Sequence, residues 1–198
     1  MAEMRVPLLD VKAQYATVRE PLLRAVETVL SGGQWILGPA VRDLEERLAA
    51  YLGVPHAIGV ASGTDALLVA LRALHCGPGD EVIIPTYTFF ASGGAVSNGG
   101  ARPVFVDIDP ETFNIDPTQV EAAITSRTSA ILPVHLYGLP CDMPRLMAIA
   151  ARHPLAVIED ACQAHGARID GRRAASLGTG RFPFFSPNKH TPPRGGDV

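Results

Sequence analysis

The sequence predicts an α/β fold, a three-layer α/β/α arrangement around a mostly parallel sheet. Three observations predict it. Between about residues 54 and 160, short β-rich runs alternate with helical stretches. Glycine, proline and aspartate punctuation falls between those runs. The chain's 198 residues, 47% of them hydrophobic, can also bury one sizeable core. Alternation of this kind signals parallel pairing, because parallel neighbours must be joined by a crossover, usually a helix.

His56–Ala61 reads as the first strand and Gly63–His75 as a helix with Ala66, Leu67, Ala70, Leu71 and Leu74 on one face. Gly77-Pro78-Gly79-Asp80 makes a turn. Glu81–Pro85 is then a strand, Phe89–Ser97 a short helix, Pro103–Ile108 a strand and Pro117–Thr125 a helix. Ser129–Leu136 and Leu155–Glu159 are further strands, separated by the helix Pro144–His153. Ahead of this core lie two amphipathic stretches, about Glu20–Leu30 and Val41–Tyr51, joined by Ser31-Gly32-Gly33 and the apolar Trp35-Ile36-Leu37-Gly38-Pro39. They read as a layer packed on the core or on a partner subunit. From Pro183 onward four prolines fall in sixteen residues and the hydrophobic period vanishes. Such a tail does not fold as an element by itself.

The composition narrows the function classes. A net charge of -3, with 17 basic and 20 acidic residues intermixed, offers no phosphate-neutralising stripe, which argues against a nucleic-acid partner. No apolar run approaches the ~20 residues of a membrane span, and Met1-Ala2-Glu3-Met4-Arg5 lacks the plan of a signal peptide, so the expectation is a cytoplasmic protein with no membrane contact. Cys76, Cys141 and Cys162 are odd in number and show no C-x-x-C spacing, which argues against a disulfide framework and a zinc site. No metal is expected. Of the 17 basic residues only Lys12 and Lys189 are lysines, so chemistry that needs a primary amine has two candidates.

Ligands of open parallel sheets bind beyond the carboxyl ends of the strands. Ser62-Gly63-Thr64-Asp65 holds such a position, where glycine permits close approach and the N–H groups of a helix start favour an anion such as phosphate. The plainer reading is an N-cap by Ser62 or Thr64. Glu159-Asp160-Ala161-Cys162-Gln163-Ala164-His165-Gly166 follows the last strand; a carboxylate here can hold a protonated ring nitrogen, and Gln163 can reach a ring hydroxyl from the same side. Acidic residues after parallel strands also serve as helix caps or metal ligands. Pro187-Asn188-Lys189 lies 29 residues beyond Asp160, and Lys189 is the better nucleophile of the two lysines because Lys12 precedes the core. Phe89 and Phe90 read first as core, although an aromatic at a strand end can stack on a heterocycle. His135 and Tyr137 end a strand and read as lining the same crevice, while Asp107 and Asp109 stabilise the turn at Pro110. No G-x-G-x-x-G follows the first strand, which removes a dinucleotide-binding reading.

Taken together these stretches resemble the sugar-nucleotide aminotransferases of the DegT/DnrJ/StrS type, a branch of the fold-type I pyridoxal-phosphate enzymes. The likeness is carried by Val6-Pro7-Leu8-Leu9-Asp10, Leu37-Gly38-Pro39, Ser62-Gly63-Thr64-Asp65-Ala66-Leu67 and Gly77-Pro78-Gly79-Asp80-Glu81-Val82-Ile83. It continues through Pro103–Pro110, Pro133-Val134-His135-Leu136-Tyr137-Gly138 and Glu159–Gly166. The resemblance implies a large pyridoxal-phosphate-dependent transferase domain. Gly63 and Thr64 would bind the phosphate of pyridoxal 5'-phosphate, Phe89 would stack on its ring, Asp160 would pair with the ring nitrogen and Gln163 with the ring hydroxyl. Lys189 would carry the cofactor as a Schiff base. The implied substrates are a keto-sugar nucleotide and an amino donor, glutamate or glutamine. The implied product is an amino sugar for polysaccharide or secondary-metabolite biosynthesis, and the implied assembly a homodimer.

Against the family pattern, Phe184 stands where a phosphate-contacting serine is expected, and His190-Thr191-Pro192-Pro193-Arg194 replaces Asn-Leu-Gly after the lysine. The expected organisation is an N-terminal helical segment at 1–52, an incomplete cofactor-binding core at 53–182 and an aberrant tail at 183–198 that contains Lys189, with the C-terminal small domain absent. A truncated, frameshifted fragment without catalysis is one alternative. The related sugar dehydratases are another, since a histidine replaces the lysine there and His190 adjoins Lys189.

Overall fold

The computed structural model describes residues 10–178, and the chain divides after Glu45 into two units. In the first, helix α1 spans Val11–Gly32. Asp10 caps it by accepting the N–H of Ala13 at 2.9 Å, and Gly33 ends it in the left-handed region at φ 67°. The helix starts well before the expected Glu20 and runs through Pro21. Val11, Tyr15, Val18, Leu22, Val26 and Val29 recur along it at three- and four-residue spacing, and none of its residues is buried. Helix α2, Pro39–Leu52, crosses the division between the units.

The second unit is the α/β core. It runs α3 (Gly63–Ala73), β1 (Glu81–Pro85), α4 (Phe90–Asn98), β2 (Arg102–Val106), α5 (Pro117–Ala122), β3 (Thr128–Ile131), α6 (Met143–Arg152) and β4 (Ala156–Val157). The four strands form one parallel sheet in the order β2-β1-β3-β4. Strand alternation then sorts the apolar side chains into two cores. Val82, Ile84, Ala130, Leu132 and Ile158 pack with Leu67, Ala70 and Leu71 of α3 and Ala95 and Val96 of α4. Ile83, Ile131 and Val157 pack on the other face with Val120 of α5 and Leu146 and Ile149 of α6. This is the expected three-layer arrangement.

The amino end of the sheet is locked by Glu81. Its buried carboxylate accepts from Thr125 and Arg127 and pairs with Arg102, which ties β1 to the starts of β2 and β3.

Two expectations need correction. His56–Ala61 forms no strand: a strand exists through its ladder, and no described strand lies beside this segment, whose Ile58 is 80% exposed. The expected strand Ser129–Leu136 is shorter, because Pro133 has no N–H to give the ladder. Pairing beyond it thins to a single bridge, with His135 N–H donating to the Asp160 carbonyl and Asp160 N–H to the Pro133 carbonyl, both at 2.9 Å. A small hairpin, β5 (Arg168–Ile169) and β6 (Arg172–Arg173), adds to the expected elements. Its turn residues Asp170 and Gly171 have φ of 50° and 78°, the left-handed pair that a two-residue hairpin favours.

Candidate active site

The chain leaves β1 for β2 on one side and leaves β3 for β4 on the other. The carboxyl ends of β1 and β3 therefore border the crevice where such sheets take ligands. Residues from five connections come to this end of the sheet.

At the start of α3, Ser62 Oγ accepts the N–H of Asp65 at 3.1 Å and donates to its carboxylate at 2.8 Å. Ser62, not Thr64, is the cap. The N–H groups of Gly63 and Thr64, in the first turn, remain for a ligand or solvent. A Cβ built on Gly63 would lie 3.7 Å from Sγ of Cys162, so the first polar cluster of the sequence abuts the second.

Alternation along the chain after β4 divides the two acidic neighbours. Asp160 follows Ile158 onto the α3/α4 face, where it is buried and its Oδ1 accepts the N–H of Cys162 at 3.2 Å. Glu159 follows Val157 onto the opposite face and is fully buried beside His135, with 3.0 Å between His135 Nε2 and Glu159 Oε2. His135 Nδ1 accepts the N–H of Cys141 at 3.1 Å, so the proton of a neutral ring sits on Nε2 and is donated to Glu159. His135 thus does not line the crevice as expected; it lies in the core. Sequence reasoning missed this pair, although two polar residues ending two adjacent apolar strands were a signal that one buries the other's charge.

Gln163 turns back toward the β3 connection. Its Oε1 accepts the N–H of Tyr137 at 2.8 Å, which leaves the amide nitrogen to donate elsewhere. Tyr137 itself has φ 54° and is 69% exposed. Its hydroxyl meets that of Tyr87, from the β1 connection, at 2.7 Å, and Phe113 sits against both rings. Two residues beyond Tyr87, the exposed Phe89 caps α4. Lys189 and the Phe184 position lie outside the described residues.

The family model described as the DegT/DnrJ/EryC1/StrS aminotransferase family matches residues 17–196. The chain belongs to that family. Among curated relatives, the UDP-N-acetyl-3-dehydro-alpha-D-glucosamine 3-aminotransferase of Acidithiobacillus ferrooxidans is 51% identical over 93% of this chain and 50% of its own length. Among solved structures, Streptomyces venezuelae DesV in complex with a ketimine intermediate superimposes with a TM-score of 0.85 at 51% identity, covering 88% of this chain and 47% of DesV. NtdA from Bacillus subtilis with bound cofactor PMP follows at TM-score 0.81 and 43% identity, covering 87% and 40%. The chain spans about half the length of the curated relatives it matches. Like its DegT/DnrJ/EryC1/StrS relatives in solved structures, it is built on an α/β fold with a mostly parallel sheet. Among the described residues no helix is long and apolar enough to cross a membrane.

Proposed function

We propose that this chain carries the cofactor-binding core of a pyridoxal-phosphate-dependent aminotransferase that acts on a keto-sugar nucleotide, with glutamate or glutamine as amino donor. The single observation that carries the reading is the 3.7 Å approach of the Gly63 position to Cys162. It sets an anion-accepting helix start beside the loop that holds Asp160 and Gln163.

The residues present fit the cofactor. First-turn N–H groups at Gly63 and Thr64 suit a phosphate, and a side-chain-free residue there admits close approach. The buried Asp160 carboxylate suits a protonated ring nitrogen, and the amide nitrogen left over on Gln163 suits a ring oxygen. Phe89, 60% exposed after β1, suits the face of an aromatic ring. When bound, pyridoxal phosphate supplies the electron sink that lets an amino group leave one carbon and join another.

The protein's part is then positional and acid–base. Asp160 would hold the proton on the ring nitrogen and so keep the ring electron-poor. Gln163 and Phe89 would hold the ring from its hydroxyl side and its face. Lys189 Nζ would hold the cofactor and would move protons at the reacting carbon. Lys189 also favours amine transfer over the dehydratase alternative that the neighbouring His190 raises. The proposed setting is a cytoplasmic homodimer that supplies an amino sugar for polysaccharide or secondary-metabolite biosynthesis.

Titration of the 198-residue chain with pyridoxal phosphate tests the site. A visible absorbance band is expected with the natural sequence and not with Lys189→Ala. Equal spectra for the two chains would sink the reading.

A further inference from the structure

The strand end that carries Asp160 lacks one backbone bond of its ladder. Ile158 N–H donates to the Ile131 carbonyl and Asp160 N–H to the Pro133 carbonyl, both at 2.9 Å, and His135 N–H donates to the Asp160 carbonyl. In this parallel register an N–H at position 133 would meet the Ile158 carbonyl, and proline has none to give. The gap falls immediately before Glu159 and Asp160, two carboxylates side by side. Side chains alternate along a strand, so a slip of one place would exchange the two.

Buried side chains close that gap. Besides His135 Nε2–H, Glu159 Oε2 accepts the N–H of Ala175 at 2.8 Å, and its Oε1 accepts those of Leu177, at 2.6 Å, and Gly178. Four N–H donors on two oxygens require an ionised carboxylate, because a protonated acid or an amide would set a donor against a donor. His135 grips the strand end twice, with its ring at Glu159 and its backbone N–H at Asp160, and the N–H of Cys141 holds the ring from the other side. Glu159 cannot leave its face without stranding these donors. Asp160 is thereby kept on the α3 side, where its Oδ1 meets the N–H of Cys162 at 3.2 Å.

We infer that His135 and Glu159 are positioning residues: their buried pair replaces the backbone bond that Pro133 removes and decides that Asp160, not Glu159, presents its carboxylate beside the α3 start. The inference rests on the reading of Asp160 as the partner of a ring nitrogen. Neither His135 nor Glu159 touches a reactant; both act through the backbone of Asp160.

Pyridoxamine 5'-phosphate labelled with nitrogen-15 in its ring tests this without calling on an imine. It is added to the 198-residue chain, to Asp160→Asn, to Glu159→Gln, and to a double variant that joins Glu159→Gln with Pro133→Ala, each checked for folding by circular dichroism. The ring-nitrogen resonance reads the protonated fraction, and inorganic phosphate binding is measured in parallel as a readout of the Gly63 end of the site. Positioning predicts that Glu159→Gln shifts the resonance toward that of Asp160→Asn, with the protonated fraction at about pH 8 lowered about threefold or more and phosphate affinity kept within about twofold. Pro133→Ala gives back the missing N–H and is expected to recover most of that loss. A folded Glu159→Gln chain with the natural resonance, or a double variant without recovery, would overturn the positioning role and leave the cofactor reading intact. A natural chain that leaves the probe unbound, or whose resonance matches Asp160→Asn, would bring down both. Hydrogen exchange on the natural chain guards against variants that fail to fold: the amides of His135 and Asp160 are expected to exchange as slowly as those of β1, and exchange at the free-chain rate would overturn the proposal.

Discussion

The N–H of Tyr137 donates to Oε1 of Gln163 at 2.8 Å, so one side chain of the β4 loop holds the backbone of the β3 loop in a left-handed conformation. The bond also orients the amide, because an N–H can be met only by the oxygen. Gln163→Leu is expected to cost about 1 kcal/mol of stability, the worth of one such bond, and to lower pyridoxal-phosphate affinity about tenfold. Gln163→Glu keeps the acceptor and thus the melting temperature, but loses the nitrogen donor and so the affinity. Paired melting curves and cofactor titrations check this; a Gln163→Glu chain that binds as well as the natural one would remove Gln163 from the site.

Gly63 separates fold from function in the opposite sense. Its added methyl would meet Cys162 Sγ at 3.7 Å, an ordinary contact, and its backbone is helical, so Gly63→Ala costs the fold nothing and can gain up to about 1 kcal/mol of helix preference. The same methyl occupies the space through which a phosphate would reach the first-turn N–H groups. The expected outcome is an unchanged or higher melting temperature with cofactor affinity lowered several-fold, measured by fluorescence titration. Unaltered affinity would place the phosphate elsewhere.

How far the sequence carried this depends on what each signal encodes. The expected bounds Glu81–Pro85 were met to the residue, and α4 and α6 began within one residue of expectation, because apolar period and turn chemistry are local. His56–Ala61 failed because its β preference is local while a ladder partner is not. Asp160 and Gln163 were legible as polar residues after an apolar run. Their division of labour with Glu159 was not: only the pleat decides that Asp160 faces α3 while Glu159 is buried with His135 on the other side. The Tyr87–Tyr137 contact was equally hidden, since it joins loops fifty positions apart.

Glu159 also gives the fold a pH dependence with a definite sign. Burial pushes its carboxyl up, but the His135 hydrogen bond and the N–H groups of Gly178 and Leu177 outweigh it, and the net result lies below the ordinary value of 4.5. A group depressed in the folded state contributes stability above its unfolded value, and that contribution is lost as pH falls through the folded value. The melting temperature is therefore expected to hold above about pH 5 and to drop progressively below about pH 4.5. Glu159→Gln, which leaves one or two N–H groups unmet, is expected to be about 2–4 kcal/mol less stable at neutral pH and flatter in acid. A natural chain and a Glu159→Gln chain with parallel acid profiles would show that the acid response comes from other carboxylates.

The three cysteines give a probe of the crevice that needs no substitution. Cys141 is buried and its thiol is pushed up to about 12, chiefly by burial, so at about pH 8 it presents almost no thiolate to an alkylating reagent. Cys76 is buried and raised for the same reason, with the Ser129 hydrogen bond opposing weakly. Cys162 is only half-buried, and its sulfur lies where the α3 start meets the Asp160 loop. Under native conditions Cys162 is therefore expected to react first, with the other two following only after denaturation. Because its sulfur is within contact distance of the Gly63 position, a phosphate or pyridoxal phosphate seated at the helix start is expected to slow its labelling several-fold. Peptide mapping after timed alkylation, with and without inorganic phosphate, reads both effects. Protection at Cys162 that phosphate alone reproduces would assign it to the anion at the helix start. Labelling of Cys162 at the same rate with and without either ligand would move the anion away from Gly63 and undo the juxtaposition on which the cofactor reading rests.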